Sequence, residues 1–313
     1  MLHVFAGDCA ADVARAAGLP GEILAWRDSL AIGPAPLDRP AAERRALRAE
    51  FHGVEEADLD PEPADLAARS GPIALWFDAC PWDQRILVEL LDALAARAGE
   101  RADDVLLILV GDHPEVERFS GFGQLTPAQL AALRPQLRPV EPRQIEIARA
   151  VHQAHGAADL SELDRLAFEE DLGALPFLAA AARRWLEELP EAGSGLSRTE
   201  REILEALAGG PLTLPALAAA VGEREAPNHG LWFGDLRLVA AVETLASEPG
   251  PALEIESGEV HRLRRTPLGG RLLAREADRS SHPALDRWVG GVRLTAASSP
   301  ARRDPATGRL IRS

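Results

Sequence analysis

Three consecutive stretches decide the fold: "PIALWFDA" (72–79), "PWDQRILVELLDALAARAGE" (81–100) and "DVLLILVGD" (104–112). The first and third are short, apolar and β-rich, as strands buried on both faces are. The middle one has Pro81 at its start and apolar residues at helical spacing. A strand, a helix and a strand in this order predict parallel strands joined by a right-handed crossover.

Working back towards the N-terminus, the same alternation holds. "LHVFAG" (2–7) predicts a buried strand and "CAADVARAAG" (9–18) a short helix closed by Gly18. "GEILAWRD" (21–28) predicts a second strand, and "AAERRALRAEFHG" (41–53) a helix followed by an acidic excursion over 54–71. The expected fold is therefore an α/β N-terminal domain with a Rossmann-like parallel sheet, over residues 1–125. A helical connector follows over 126–192, with helices in "PRQIEIARAVHQAHG", "LSELDRLAFEEDLG" and "LPFLAAAARRWLEELP". The glycine break "EAGSG", around Gly193 and Gly195, reads as a linker.

Beyond it, "LSRTEREILEALAGG", "TLPALAAAVG" and "LWFGDLRLVAAVETLAS" predict three helices, the second capped by Thr213 with Pro215 early in it. Two strand-like pieces, "ALEIES" and "VHRLRRT", join at Ser257-Gly258. This order predicts a winged-helix-like domain over 193–296, and residues 297–313 read as a frayed tail.

Composition limits the chemistry. The net charge is −15, which disfavours general nucleic-acid binding. Every basic residue is Arg, so Schiff-base lysines and Walker A loops are excluded. Two cysteines, Cys9 and Cys80, build neither a disulfide framework nor a four-cysteine metal site. With no leader and no apolar run near the roughly 18 residues of a membrane span, the expectation is a cytoplasmic protein without membrane contact.

In an open parallel sheet, ligands sit beyond the carboxyl ends of the strands. The predicted strand ends bring Gly7, Asp8 and Cys9; then Arg27, Asp28 and Ser29 after Trp26; then Asp78, with Asp83 and Gln84 at the next helix start; and finally Gly111, Asp112 and His113. Four aspartates on one rim predict a site for a small polar ligand or a divalent cation, with Arg27 as an anion partner. Each aspartate has a structural alternative as a helix or turn cap. An enzyme with Asp8, Asp28 or Asp83 as general base or metal ligand is the competing reading. The sequence names no cofactor.

Sharper motifs fail. Cys9 and Arg15 match C-x5-R, but the glycine-free "AADVA" between them is helical and wraps no phosphate. "GDC" lacks the serine of a GDS-type esterase. "GFGQL" (121–125) reads as a loop that could serve as a flexible lid. His152 and His155 share one helical face, read as solvated rather than as zinc ligands. In the C-terminal domain, Arg262, Arg264 and Arg265 offer contacts to a phosphate backbone. The third helix, with Trp232 and Phe233, lacks base-reading residues. A protein partner or dimer contact is the stronger expectation there, and a DNA-binding, ligand-responsive regulator the weaker.

The chain resembles a bacterial family catalogued as domain of unknown function 1835. The resemblance rests on "LHVFAGD", "WRDSLAIGP", "ALWFDACPWDQRILVELL", "GFGQLTPAQL", "LPFLAAAARRWLEELP", "GLSRTEREIL" and "RWVGGVRL", and covers most of the chain. A serine usually follows "GD" in that family, so Cys9 is a departure. The resemblance implies an architecture and directs attention to Asp8, Asp28, Asp78 and Asp83. It implies no reaction.

Overall fold

The computed structural model describes residues 1–100, 104–225, 234–256, 261–298 and 301–311. The first half runs β1 (Leu2–Ala6), α1 (Gly7–Ala16), β2 (Glu22–Trp26), α2 (Ala41–His52), α3 (Pro63–Ala68), β3 (Ile73–Asp78), α4 (Pro81–Ala93), α5 (Ala95–Glu100), β4 (Val105–Val110), α6 (Pro127–Leu133) and β5 (Arg138–Pro139). Then come α7 (Pro142–His155), α8 (Ser161–Glu169), α9 (Leu178–Leu186), α10 (Arg198–Ala206), α11 (Leu214–Glu225), α12 (Gly234–Ala246), β6 (Leu253–Glu256), β7 (Arg262–Arg265), α13 (Pro267–Leu273), β8 (Asp286–Val289) and β9 (Val292–Thr295).

The expected α/β sheet is present. Its order is β2-β1-β3-β4-β5, with the first four strands parallel and β5 antiparallel at the edge. β5 carries a proline, which an edge position tolerates. The order reverses between β1 and β3, so their carboxyl ends flank the crevice where such sheets bind ligands.

Alternation along β3 builds both faces. Ile73, Leu75 and Phe77 join the core formed with α4, α7 and α9, while Ala74 and Trp76 join the core formed with α1 and α6. On the second face, Phe5 stacks on Trp76 with centroids 5.1 Å apart, and Phe122 meets both rings edge-on. Phe122 is buried in this core. The "GFGQL" segment is therefore a packed clamp rather than a flexible lid.

The C-terminal helices α10, α11 and α12 share a third core with the antiparallel β6–β7 hairpin, through Ile203, Leu217, Leu238, Leu253 and Leu263. Leu212 bridges Leu263 beside that hairpin. Trp232, Phe233 and the Ser257-Gly258 turn lie outside the described residues. The expected linker around Gly193 and Gly195 is a packed turn instead, with Gly193 exposed and Gly195 buried. Ser194 and Leu196 are fully buried, and Ser194 Oγ donates to Glu191 at 2.6 Å.

The β8–β9 hairpin returns to the first core through Leu285, Val289 and Leu294. Its Gly290-Gly291 turn wedges between the segment that follows β2 and α7. Gly291 N donates to His155 O (2.9 Å), and Ala35 N donates to Gly290 O (3.0 Å). A Cβ on Gly290 would lie 2.1 Å from His155 O, and the residue sits at φ +58°. Only glycine fits both constraints.

Among its described residues, 301–311, the C-terminal segment is anchored, not frayed. Arg303 is buried and its N–H reaches Pro190 O, while Arg309 pairs with Asp164 at 2.8 Å and Glu169 at 2.5 Å. Acidic partners far back in the chain hold these arginines, which local sequence does not reveal. No helix among the described residues is long and apolar enough to cross a membrane.

Candidate functional site

The strand ends come first. Gly7 turns the chain at φ +73° into α1. Asp8, in the first helical turn, accepts two bonds from Arg27, at 2.8 Å from Nε and 2.8 Å from NH2. That hydrogen bonding holds its carboxyl below the usual range. Both partners are exposed, so the pair does little for stability. Cys9 is exposed beside Gly123.

At the end of β3, Asp78, Cys80 and Asp83 form a compact knot. Asp78 Oδ1 accepts from Cys80 N (2.9 Å), and Asp83 Oδ2 accepts from Asp78 N (2.9 Å). Cys80 Sγ lies 3.4 Å from both Asp83 Oδ1 and Asp83 N. Gln84 Nε2 donates to Asp78 O at 2.6 Å. Gly121 presses against Asp78, where a Cβ would sit 2.6 Å from Oδ2.

Burial pushes the Asp78 carboxyl up to about 6. Burial, reinforced by the charge of Asp78, pushes Asp83 well above its ordinary value. The ligand atoms of the three residues lie within 4.8 Å of one another, a spacing that suits a cation. Neither carboxylate, however, leaves a buried oxygen unpaired. The knot ties β3, α4 and the 121–124 turn together, and beside it Gln84 Oε1 is buried without a partner.

The end of β2 is built differently. Arg27 N and Asp28 N both donate to Asp60 Oδ2, at 2.5 and 2.6 Å. Burial raises the Asp60 carboxyl despite these bonds. The Asp28 side chain takes a two-pronged contact from Arg48 and a 3.0 Å contact from His52 Nε2. Burial opposes ionisation of Asp28, yet His52 and Arg48 bring it down to about 2. Arg48 also reaches Ile32 O at 2.6 Å, and so holds the 30–34 loop. Ser29 is buried, with Oγ donating to Trp82 O at 2.9 Å.

Between this crossover and the helices α4 and α7 lies a cavity of about 360 Å³. Asp28, Arg48, Asp60, Glu62, Glu89 and His152 supply much of its polar lining, and Trp26, Leu30 and Leu37 supply apolar surface. Among the described residues, no hydrogen bond or ion pair engages Glu89. Burial lifts its carboxyl to about 7, against the pull of Arg85. His152 Nδ1 is buried without a partner.

Arg85 stands one turn before Glu89 on α4 and is not itself among the residues lining the cavity. It is fully buried, and Nε donates to His155 Nδ1 at 3.1 Å. Its two terminal amino groups have no partner, and neither has His155 Nε2. Burial lowers Arg85 to about 10, so it stays a cation at neutral pH. Burial, then the Arg85 charge, drives both histidines well below their ordinary value.

No family model matches the chain. No curated protein matches it either.

The geometry regroups the residues read from sequence. Asp8 meets Arg27, Asp28 meets Arg48 and His52, and Asp78, Asp83 and Gln84 meet around Cys80. Asp112 stands exposed at the end of β4. His152 and His155 are a correction: their face is buried between Arg85 and Trp185 rather than solvated, with His155 edge-on to Trp185 at 5.0 Å. Sequence reading passed over Arg48, Asp60, Arg85 and Glu89. One signal was available: Arg85 and Glu89 stand four apart in the apolar run "RILVELL", where exposed charges are out of place. In the C-terminal hairpin, Arg264 is held by Glu254 at 2.7 Å and Glu256 at 2.6 Å.

Proposed function

We propose that the chain binds a small polar ligand in its α/β part, in the cavity between the β2 crossover and α4–α7. The observation that carries this reading is His152 on the cavity wall, whose Nδ1 is buried without a partner, beside the half-buried Glu89, which no hydrogen bond or ion pair among the described residues engages. Buried polar groups are normally hydrogen-bonded, and unpaired ones cost about 1–3 kcal/mol each. A bound ligand supplies the missing partners. Two of the rim aspartates are neutralised within the protein, Asp8 by Arg27 and Asp28 by Arg48, which favours the cavity over the rim as the ligand's place.

The C-terminal module reads as a winged helix. Support comes from three helices followed by a hairpin, with Leu212 beside Leu263 as the short third strand. Its role is a partner or dimer contact. Pairing of Arg264 with Glu254 and Glu256 weighs against phosphate binding by the hairpin, as does the overall charge. Membership of the domain of unknown function 1835 family and a cytoplasmic location are part of the same proposal.

Native mass spectrometry after incubation with a small-metabolite extract tests the cavity. The expected result is an adduct of small-molecule mass on the wild-type chain that is absent from Ala93→Trp, since Ala93 lines the cavity and an indole there fills it. An adduct of equal occupancy on both proteins places the ligand elsewhere and refutes the reading.

A further inference from the structure

Ion pairing along the cavity wall leaves two charged groups over. Four of its five acids are taken within the protein: Asp28 by Arg48, Glu62 by Arg45 at 3.1 Å, Asp92 by Arg149 at 2.7 Å and Asp60 by Arg27 at 3.9 Å. The fifth, Glu89, has no hydrogen-bond or ion-pair partner among the described residues, and both of its oxygens keep accessible surface. Of the three arginines on the wall, Arg45 and Arg48 are the ones just paired. Arg44 forms no ion pair among the described residues, and its guanidinium donates only from NH1, to Arg39 O at 2.7 Å. Its other two guanidinium nitrogens keep accessible surface.

Glu89 stands on α4 and Arg44 on α2, and both open on one cavity of about 360 Å³. His152, on the same wall, adds no charge at neutral pH, because burial and then the Arg85 and Arg44 charges hold its ring neutral. The Arg85 charge behind Glu89 favours the ionised carboxyl. It does not occupy that carboxyl, since its terminal amino groups are sealed and partnerless. The wall thus offers one free negative and one free positive group.

We propose that the cavity takes a small zwitterion of amino-acid type, its ammonium held by the Glu89 carboxylate and its carboxylate by the Arg44 guanidinium. This rests on the reading of the cavity as a ligand site and names the charges at the ligand's two ends. Both contacts are charge-assisted hydrogen bonds, the stronger kind. A simple cation or anion satisfies one end and leaves the other unmatched. A phosphate dianion is the poorer match, because the acids on the wall repel its second charge. Trp26, Leu30 and Leu37 offer apolar surface to the ligand's carbon skeleton.

The test uses the full chain at about pH 8, where Glu89, lifted by burial to about 7, is mostly ionised. Melting temperature is followed with glycine, leucine and γ-aminobutyrate, and with methylammonium chloride and sodium acetate as the separate ends, all at matched ionic strength. The proteins are wild type, Glu89→Gln, Arg44→Met and Ala93→Trp, each first shown to be folded by circular dichroism. Neither Glu89 nor Arg44 holds an ion pair among the described residues, so removing either charge leaves the fold intact. The expected result is a saturable rise in the wild type with at least one amino acid, a smaller one or none with either separate end, and no amino-acid rise in any variant. A rise with methylammonium equal to that with the amino acid, or an amino-acid rise kept in Arg44→Met, overturns the carboxylate end. A rise with acetate equal to that with the amino acid, or an amino-acid rise kept in Glu89→Gln, overturns the ammonium end. No amino-acid rise in the wild type overturns the inference alone, provided that a metabolite adduct is still lost in Ala93→Trp. An amino-acid rise and an adduct that both persist in Ala93→Trp remove the cavity reading as well.

Discussion

Arg85 Nε donates to His155 Nδ1 at 3.1 Å, and this bond sets the histidine tautomer. Arginine only donates, so Nδ1 is the acceptor and the ring proton sits on Nε2. Nε2 is itself buried without a partner. One helix pair, α4 with α7, thus carries buried polar groups with unused hydrogen-bonding capacity.

Arg85 and Arg48 are both buried arginines, yet their removal has different costs. Arg48→Met strands the Asp28 carboxylate in a mostly buried site and is expected to cost about 3–5 kcal/mol. Arg85→Met removes an unpaired cation and leaves one histidine nitrogen without its donor. These effects oppose each other, and the net change is expected within about 2 kcal/mol. Urea unfolding of the two variants checks the contrast, and equal losses would contradict it.

The pH dependence of stability separates two carboxyls. Asp28 titrates near 2 when folded against an ordinary 3.8, so the unfolded chain binds more protons between those values. Its stabilisation, about 2 kcal/mol, is complete above the ordinary value and lost as pH falls towards 2. Glu89 titrates near 7 against 4.5, so the folded chain binds the extra proton and stability declines as pH rises from about 4.5 to about 7. Arg85 on its own helix, Asp28, Arg48 and Glu62 across the cavity, and His152 on α7 are the charged and titratable groups around it. Glu89→Gln removes that decline. The stability difference between wild type and Glu89→Gln, followed from pH 4.5 to 7, is expected to shift against the wild type; parallel curves would rule this out.

Gly290→Ala is expected to destabilise by at least about 2 kcal/mol. The new Cβ meets His155 O, and alanine resists φ +58°. Chemical denaturation measures the loss, and increased amide exchange at Ala35 and Gly291 would localise it to this wedge.

Asp8→Asn tests the rim. Because the Asp8–Arg27 pair is exposed, the expected change in stability is below about 1 kcal/mol. Metabolite adduct formation is expected to be unchanged, since Asp8 does not line the cavity. Loss of the adduct would return the ligand to the rim.

The sheet was legible because β1, β3 and β4 are apolar runs bounded by glycine, proline or aspartate, and α4 opens on Pro81. Strand-end residues were legible for the same reason: they mark where each run stops. What they do there was not, because the partners of Asp28 lie 20 and 24 residues away on α2. Asp60 lay within the acidic excursion over 54–71, where nothing local singles it out. The histidines of α7 were misjudged because helical spacing shows which residues share a face, and what covers that face is tertiary: here α4, α9 and the β8–β9 turn.

The central claim is that the cavity beside β2 holds a small polar ligand. The most direct measurement is a thermal-shift panel of carboxylic acids, amino acids, nucleotides, sugar phosphates and divalent metals on wild type and Ala93→Trp. A ligand at about 100 times its dissociation constant stabilises by about 2.7 kcal/mol. The cavity reading predicts that at least one ligand class raises the melting temperature of the wild type and leaves Ala93→Trp unmoved. A panel with no wild-type response, or one that shifts both proteins equally, would contradict it.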